Sequence, residues 1–321
     1  MTFKKLFAFG LVVAVLAACG DDASSGPVTG SNEDSSSSVC EDCDDSSSSF
    51  CVTPQSSDSE TSVSSSSSSA KFSSSFAKSS SSSAVSSSSA PEGYVDPSTV
   101  IKGTMTDERD GQTYKTVTIG TQTWMAENLN YAYTEVPYYY AGYKSDSASW
   151  YYLNNSAYYI KFGRLYTWSA AMDSVGLWTT NGKGCGLGNL CSPTYPVRGI
   201  CPEGWHLPDT TEWNTLFAAV GGPDTAGMML KSIREWTNEV DFGRKIRDGN
   251  GTDAYSFTAL PTGHGCCEGK FNRVSQITYF WGSTEESRNV AYQEVLYYNN
   301  DIVDRARLEK SNGFSVRCVK D

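Results

Sequence analysis

The sequence predicts an α+β domain with short strands, few helices and long loops, preceded by a low-complexity N-terminal segment. Three observations support this prediction. From Tyr94 onward, short β-branched and aromatic stretches alternate with glycine, as in strands joined by turns. One complete helix signal lies among them, over residues 209–222. The same part of the chain holds six cysteines, an even number that suits disulfides across long loops.

Residues 1–18 resemble a bacterial lipoprotein signal peptide. Two lysines precede an apolar run over residues 6–16, which is too short for a membrane-spanning helix of about 20 residues. A Leu-Ala-Ala tripeptide then leads into Cys19, as in the lipobox, where the cysteine becomes lipidated. We therefore expect an outer membrane lipoprotein that faces the cell surface, since the acidic pair Asp21 and Asp22 resembles an export signal. The alternatives are the inner leaflet, or an ordinary signal peptide with a chance cysteine.

Residues 19–93 are predicted to be a lipidated cysteine followed by a disordered, acidic tether. Serine dominates residues 20–90 and aliphatic residues are scarce, so the segment lacks the apolar surface that folding needs. Its net charge is −8, whereas residues 91–321 carry −5. A tether of about 70 residues has an r.m.s. reach of roughly 45–50 Å. The acidity argues against nucleic acid as a partner, because phosphate binding needs a basic patch.

Strand signals occur throughout the domain, which we place over residues 94–321. Residues 113–119 alternate apolar and polar side chains and are rich in β-branched residues, and a Gly-Thr pair then predicts a turn. Residues 123–129 continue the pattern beyond this turn. Four further strands are predicted over residues 255–260, 276–281, 290–298 and 315–319.

Helix signals are confined to the middle of the domain. Asp209 and Glu212 form a capping pattern ahead of apolar residues at helical spacing, and Gly221–Gly222 provides the stop signal. A second, short helix is predicted over residues 226–233. The domain therefore contains more loop than regular structure, and loops of this length need covalent support.

Five sequence blocks, in this order, resemble the Fibrobacter succinogenes major paralogous domain. They are residues 117–131 (VTIGTQTWMAENLNY), 163–172 (GRLYTWSAAM), 201–213 (CPEGWHLPDTTEW), 253–261 (DAYSFTALP) and 315–318 (SVRC). The third and fifth blocks are also similar to motifs of the C-type-lectin-like fold, in particular of its branch with the formylglycine-generating enzymes. The resemblance implies short twisted antiparallel sheets and long loops that present binding sites. It identifies a fold more than an activity.

The resemblance also implies a disulfide between Cys201 and Cys318. Two pairings stay open for the remaining cysteines of the domain. Cys185 and Cys191 could close a small loop, or one of them could pair with one of the adjacent cysteines that follow. These adjacent residues, which do not easily pair with each other, are Cys266 and Cys267.

An aromatic insertion between the first two blocks is the candidate ligand-binding surface. It lacks aliphatic partners, and exposed Tyr and Trp rings suit stacking on sugars or on a protein partner. The alternative is a packed lid over the domain. The candidate binding residues are Tyr138, Tyr139, Tyr140, Trp150, Tyr151 and Tyr152. By contrast, five other tryptophans are predicted to lie in the core, namely Trp124, Trp168, Trp205, Trp213 and Trp281.

Candidate chemistry is sparse elsewhere. Asp248, Asn250 and Asp253 place oxygen atoms along a Gly-rich loop that could bind calcium, although the bidentate Glu of an EF-hand is missing and a tight turn is the alternative. His206 lies within the third block, where we expect it to be buried and hydrogen-bonded. No other cofactor is expected, and no catalytic set is evident.

These observations predict a surface-displayed binding or adhesion module rather than an enzyme. Its expected partners are the membrane, through the lipid anchor, and either plant polysaccharide or a cell-envelope partner. One alternative is an oxidising or modifying enzyme of the formylglycine-generating type, which holds copper with cysteines near the C-terminus. The other is a purely structural envelope protein.

Overall fold

The computed structural model describes residues 92–134, 137–140, 143–145, 148–154, 156–266 and 270–321. The expected signal peptide (1–18), the lipidation site Cys19 and all but the last residues of the tether (19–93) lie outside this part of the chain. Within it, no helix combines the length and the apolar character needed to cross a membrane.

Short strands dominate the described residues. The strands are β1 (Ile101–Thr106), β2 (Thr113–Ile119), β3 (Gln122–Met125), β4 (Tyr138–Tyr140), β5 (Tyr143–Ser145), β6 (Ser149–Trp150), β7 (Leu165–Tyr166), β8 (Trp205–His206), β9 (Glu239–Asp241), β10 (Arg244–Arg247), β11 (His264–Gly265), β12 (Phe271–Asn272), β13 (Ile277–Glu285), β14 (Val290–Tyr297), β15 (Val303–Glu309) and β16 (Val319–Lys320). The α-helices are α1 (Ser156–Phe162), α2 (Trp168–Ala171), α3 (Thr210–Ala219) and α4 (Pro223–Leu230), and 3-10 turns span Pro97–Thr99 and Tyr152–Asn154.

The largest sheet is antiparallel and brings distant parts of the sequence together. Its strand order is β1-β2-β3-β16-β8, and β2 pairs with β3 across the predicted turn. Val319 of β16 lies opposite Trp124 on one side and opposite His206 on the other. A three-stranded antiparallel sheet, β13-β14-β15, lies elsewhere in the domain, and the other strands form two-stranded pairs. The prediction of short antiparallel sheets with few helices is confirmed.

Helix α3 begins and ends where its local signals predict. The Asp209 carboxylate accepts the Thr211 and Glu212 N–H groups at 2.7 and 2.9 Å, and the Glu212 carboxylate accepts the Asp209 N–H at 2.9 Å. This reciprocal capping satisfies donors that the first helical turn leaves open. Gly222, at positive φ, donates its N–H to the Phe217 carbonyl and ends the helix. Helix α4 begins at Pro223, earlier than predicted, because proline suits the first helical turn.

Two of the predicted strands are wrong, one of them completely. Residues 255–260 are irregular, since Ser256 and Thr258 adopt positive φ. The apolar alternation there arises because every second side chain is buried in the core, although no ladder forms. The Asp253 carboxylate shapes this turn by accepting the Thr258 N–H at 2.7 Å. Residues 315–319 form a strand only at their end, in β16, although Ser315 makes an isolated bridge with Phe280 of β13.

Aromatic side chains fill the core. The five tryptophans predicted to lie in the core are at most 6% exposed, which confirms their burial. One hydrophobic cluster surrounds Trp168 and Trp281, and a second surrounds Trp124 and Trp213, whose ring centroids lie 4.7 Å apart. Such pairs gain about 0.5–1.5 kcal/mol beyond their buried area. The motif blocks are thus mainly packing blocks.

Two disulfides support the loops. Cys201 bonds to Cys318, as the resemblance implied, and Cys185 bonds to Cys191. The alternative in which Cys185 or Cys191 pairs with Cys266 or Cys267 is therefore wrong, because Cys185 and Cys191 are bonded to each other. Cys266 is buried and accepts a hydrogen bond from the Asn272 amide at 3.4 Å, whereas Cys267 lies outside the described residues.

His206 connects the end of the chain to helix α3. Its Nδ1 lies 2.6 Å from the Asp321 carboxylate, and its Nε2 lies 2.7 Å from the Glu212 carboxylate. Burial lowers the pKa of this imidazole, but the hydrogen bonds and charges of Glu212 and Asp321 outweigh burial, so the net result is a raised pKa. The predicted role as a buried, hydrogen-bonded residue is confirmed.

We expect the stabilising contribution of His206 to disappear as the pH rises. The pKa of His206 is higher in the folded domain than in the unfolded chain, where it is 6.5. The stabilisation by protonated His206 is therefore complete below pH 6.5 and is lost as the pH rises through the pKa of the folded state. The difference in unfolding free energy between the wild type and His206→Gln should therefore shrink between about pH 6 and pH 9. Urea denaturation at a series of pH values measures this difference.

His264 is the control, because its stabilising contribution should change with pH in the opposite direction. Burial, followed by the charge of Arg273, lowers the pKa of this imidazole to about 4. The stability contributed by a neutral His264 is thus complete above pH 6.5, the pKa in the unfolded chain, and is lost as the pH falls to about 4, the pKa in the folded domain. Parallel pH profiles for His206→Gln and His264→Gln would contradict both assignments.

Candidate ligand-binding site

A polar cleft of about 310 Å³ lies where three of the five sequence blocks meet. We call it the motif cleft. One wall comes from β2 and the segment after β3, another from the end of α1, and the third from the irregular segment around Thr258. Its principal lining residues are Gln112, Lys115, Glu127, Asn130, Gly163 and Thr258.

A fully buried arginine lies beside the motif cleft and joins its walls. Arg317 donates from Nε to Asn128 Oδ1 at 2.6 Å, and from Nη1 to the carbonyls of Met125 and Phe257 at 3.1 and 2.6 Å. Its Nη2 donates to the Thr258 carbonyl at 2.9 Å. These acceptors come from the first and fourth blocks, whereas the arginine belongs to the fifth. A single guanidinium therefore fixes the relative positions of three blocks.

The electrostatic environment of Arg317 is unusual for a buried charge. Among the described residues no carboxylate contacts the guanidinium directly, and its direct partners are carbonyl and amide oxygens. The ring of Phe257 lies 4.6 Å from the guanidinium carbon. Burial lowers the pKa of Arg317, and the more distant charges of Asp253 and Glu127 raise it. The residue acts as a multiple hydrogen-bond donor that holds backbone segments together.

Asn128 and Gly163 extend this arrangement to the second block. The Asn128 amide donates to the Phe162 carbonyl at 2.9 Å, at the end of α1. Gly163 follows at a φ of 74°, and an added Cβ would lie 2.9 Å from the Leu129 carbonyl oxygen. Both the conformation and the close approach therefore require glycine at this position.

The described side chains in the walls of the motif cleft form hydrogen bonds with one another, except for one acceptor atom. The Glu127 carboxylate accepts the Lys115 N–H at 2.8 Å and lies 3.2 Å from the Lys115 ammonium. The Asn130 amide nitrogen donates to Gln112 Oε1 at 2.9 Å. In the described part of the chain, the buried Asn130 Oδ1 has no hydrogen-bond partner. Because this oxygen is itself buried, a ligand hydroxyl or amine would donate to it once the Asn130 side chain turns toward the cleft.

The motif cleft was not predicted from the sequence. Its residues are far apart along the chain, and no local pattern indicates that they converge. The one available signal was the polar group Glu127, Asn128 and Asn130, which directly follows a predicted strand in the first block. Loops at strand ends commonly carry binding residues, so this group could have been proposed as a site.

The described side chains of the aromatic insertion, Trp150, Tyr151 and Tyr152, make contacts within the domain, and their role in ligand binding stays a prediction. Tyr152 is 6% exposed, and its ring centroid lies 5.5 Å from that of Phe271. Tyr151 lies against the Arg164 guanidinium at 4.1 Å, and Trp150 packs on the hydrophobic core. These contacts correspond to the packed-lid alternative, because the rings have found partners within the domain.

The remaining candidates of the insertion form a hairpin strand. Tyr138, Tyr139 and Tyr140 make up β4, which pairs with β5 so that Tyr140 lies opposite Tyr143. Their side chains lie outside what the structure describes. Their role in ligand binding therefore stays a prediction.

The side-chain oxygens of the three calcium candidates each accept hydrogen bonds from groups of the protein. Asp248 accepts the Asn250 N–H at 3.0 Å and pairs with Lys245 at 2.8 Å, and Asn250 Oδ1 accepts a backbone N–H at 3.2 Å. Asp253 accepts both the N–H and the hydroxyl of Thr258. This geometry favours the tight-turn alternative. No group of three or more His, Cys, Asp or Glu among the described residues could hold a metal ion.

A second cleft, of about 260 Å³, adjoins the small disulfide loop. Lys310 is fully buried beside it and donates to the Gly186 and Asn189 carbonyls at 3.3 and 3.1 Å. The third contact of the ammonium is the Glu285 carboxylate at 2.7 Å. An ammonium has three donors, and all are occupied, so Lys310 holds the loop and offers no charge to a ligand.

We expect Arg317→Met to lower the unfolding free energy by at least about 3 kcal/mol, because four buried acceptors lose their donor. Urea denaturation measures this change. Arg288→Met is the matched control, since Arg288 is exposed and should tolerate the substitution. A change within about 1 kcal/mol for the Arg317 variant would show that the network contributes little.

Comparison with known sequences covers most of the domain. The model of the Fibrobacter succinogenes major domain matches residues 117–320, a range that includes all five blocks. No curated protein and no solved structure matches the chain. The matched range is more than half of the chain and carries Arg317, Asn128 and Gly163. The chain therefore belongs to the Fibrobacter succinogenes major domain family.

Proposed function

We propose that this chain is a lipid-anchored binding module, displayed on the outer membrane, that binds a neutral glycan in the motif cleft. The observation that carries the proposal is the buried Asn130 Oδ1 without a partner. A buried acceptor left unsatisfied costs about 1–3 kcal/mol, and a sugar hydroxyl at this position would offset that cost.

The charges around the motif cleft favour a neutral ligand. Lys115 pairs with Glu127, and Lys161 pairs with Glu235. Because each cation has a nearby anion, the cleft offers no excess charge to a phosphate, sulfate or uronate group. The amides of Gln112 and Asn130 and the carboxylate of Glu127 can instead exchange hydrogen bonds with hydroxyl groups. The volume of the cleft suits one or two sugar units of a polysaccharide such as those of plant cell walls.

A finer fold assignment accompanies this proposal. We assign the domain to the C-type-lectin-like class, with the motif cleft among the loops that this class uses for binding. The arguments are the pairing of the final strand with β3, the disulfide from the region before α3 to the fifth block, and the long loops. Binding residues on loops held by a rigid scaffold are a common arrangement.

Display at the cell surface rests on the N-terminal sequence. The lipobox cysteine Cys19 would attach the chain to the membrane, and the serine tether would let the domain search a volume of roughly 45–50 Å in radius. A tethered binding domain meets an insoluble substrate at a raised effective concentration. Adhesion to a polysaccharide surface is the consequence.

We expect Asn130→Ala to weaken glycan binding at least about tenfold, because the substitution removes the acceptor that lacks a partner. The measurement is a glycan array together with a pull-down on insoluble cellulose, with the full chain. Thermal unfolding of the same variant should remain close to that of the wild type, because Asn130 donates only one side-chain hydrogen bond within the described structure.

Asn189→Ala is the matched control for this experiment. Asn189 lines the second cleft and is exposed, and only its backbone carbonyl contacts Lys310. Equal loss of binding in both variants would place the ligand elsewhere. A folded wild-type chain that binds no glycan would refute the carbohydrate proposal and would direct attention to a protein partner in the cell envelope.

A further inference from the structure

The hairpin β9–β10 carries an aromatic residue at its tip that does not pack in the domain core. Asp241 lies opposite Arg244, so Phe242 and Gly243 form a two-residue turn. Phe242 is 100% exposed. An exposed aromatic ring at the end of a hairpin contributes nothing to core packing in this domain.

The backbone conformation of this turn is unfavourable for phenylalanine. Phe242 has a φ of 44° and Gly243 a φ of 78°, as in a type I′ turn. That turn favours Asn-Gly or Asp-Gly, because bulky side chains are disfavoured at positive φ. Neither the local backbone nor burial therefore explains Phe242, and an unfavourable residue held in such a position suggests a role in binding.

Further apolar and basic side chains surround the tip. Val240 and Ile246 are 62% and 60% exposed on the two strands of the hairpin. Residues 239–247 contain three basic and two acidic residues, whereas residues 91–321 as a whole carry −5. Lys245 and Arg247 form ion pairs with Asp248 and Asp301, and Arg244 lies exposed beside the turn. The hairpin is thus an apolar projection from an acidic domain, with one arginine next to its tip.

The base of the hairpin is fixed to the domain. Arg247 forms an ion pair with Asp301, and the Thr237 N–H donates to the Ser275 carbonyl at 2.7 Å. Gly249 lies so close to the Thr237 carbonyl that an added Cβ would be 1.9 Å from its oxygen. These contacts hold the far end of the hairpin away from the core and present the tip to its surroundings.

We infer that the β9–β10 hairpin docks on the lipid bilayer, with Phe242 inserted among the acyl chains near the headgroups. An apolar tip beside an exposed arginine is suited to an anionic bilayer surface, where the guanidinium contacts phosphates and the aliphatic stem extends into the interface. The chain outside the described domain ends, on the N-terminal side, in the proposed lipid anchor Cys19. The tether therefore keeps the bilayer, which is a large apolar partner, within reach of the hairpin.

The tether also explains why so small a surface is sufficient. One phenylalanine and two aliphatic side chains would give a free protein only weak affinity for a membrane. When anchor and domain share one chain, binding becomes intramolecular and the effective concentration is roughly millimolar. The domain would alternate between a docked position and an extended search. This inference rests on the proposed anchor but not on the proposed glycan site.

The test uses the full acylated chain in vesicles of phosphatidylethanolamine and phosphatidylglycerol that contain a lipid with a photoreactive diazirine in its acyl chain. After illumination, mass spectrometry locates the adducts. We expect adducts on the peptide that contains residues 239–247, and we expect Phe242→Asn to reduce them at least about fivefold. Since asparagine suits this turn, the variant should unfold at the same or a higher temperature.

Ile101→Asn is the matched control, because Ile101 is 68% exposed on β1 and lies outside the hairpin. Its adduct pattern should equal that of the wild type. No adducts on the hairpin, or equal adducts in the Phe242 variant, would overturn the inference. The mass of the protein before reconstitution shows whether Cys19 is acylated. Glycan binding by the Phe242→Asn variant shows whether the motif cleft is intact. A failure of the anchor or of the glycan site can therefore be distinguished from a failure of docking.

Discussion

The domain depends on one buried guanidinium. Removing Arg317 from water is costly, and the cost is offset only when its donors find acceptors of suitable geometry. Those acceptors are carbonyl and amide oxygens from segments about 60 and 190 residues away along the chain. The side chain therefore selects a single arrangement of the first, fourth and fifth blocks, since any displacement of one segment leaves a charge or a carbonyl unsatisfied. This requirement gives a physical reason for the short Ser-Val-Arg-Cys block, in which Arg317 adjoins the disulfide cysteine Cys318.

The motif cleft is a consequence of the same arrangement. Asn128 contacts the guanidinium on one side and the end of α1 on the other, so the walls of the cleft are fixed to each other before any ligand arrives. A preformed site loses little conformational entropy on binding. The second cleft has a comparable origin, since Lys310 organises it, but there the buried cation is saturated by the loop that it holds. The two buried cations thus shape neighbouring surfaces without contributing charge to a ligand.

Local signals predicted those parts of the fold that local interactions determine. The capping residues Asp209 and Glu212 and the alternation in β2 specify their elements within a few residues of sequence. The segment 255–260 misled the same approach, because alternating burial does not require a ladder when Asp253 shapes a turn. The motif cleft could not be predicted, since it exists only after distant blocks have converged. Aromatic content likewise failed to indicate exposure, because Tyr152 finds its partners in a distant loop.

The position of β16 has a consequence for how the domain reaches its native state. This strand lies between β3 and β8, and its pairing with β3 joins residues 195 positions apart. Contacts at such separation form late, because the chain must close a long loop before they become favourable. The domain would therefore remain incompletely folded until β16 is available, and the Cys201–Cys318 bond would form after that point. A chain that postpones its native structure in this way is well matched to transport across a membrane in the unfolded state.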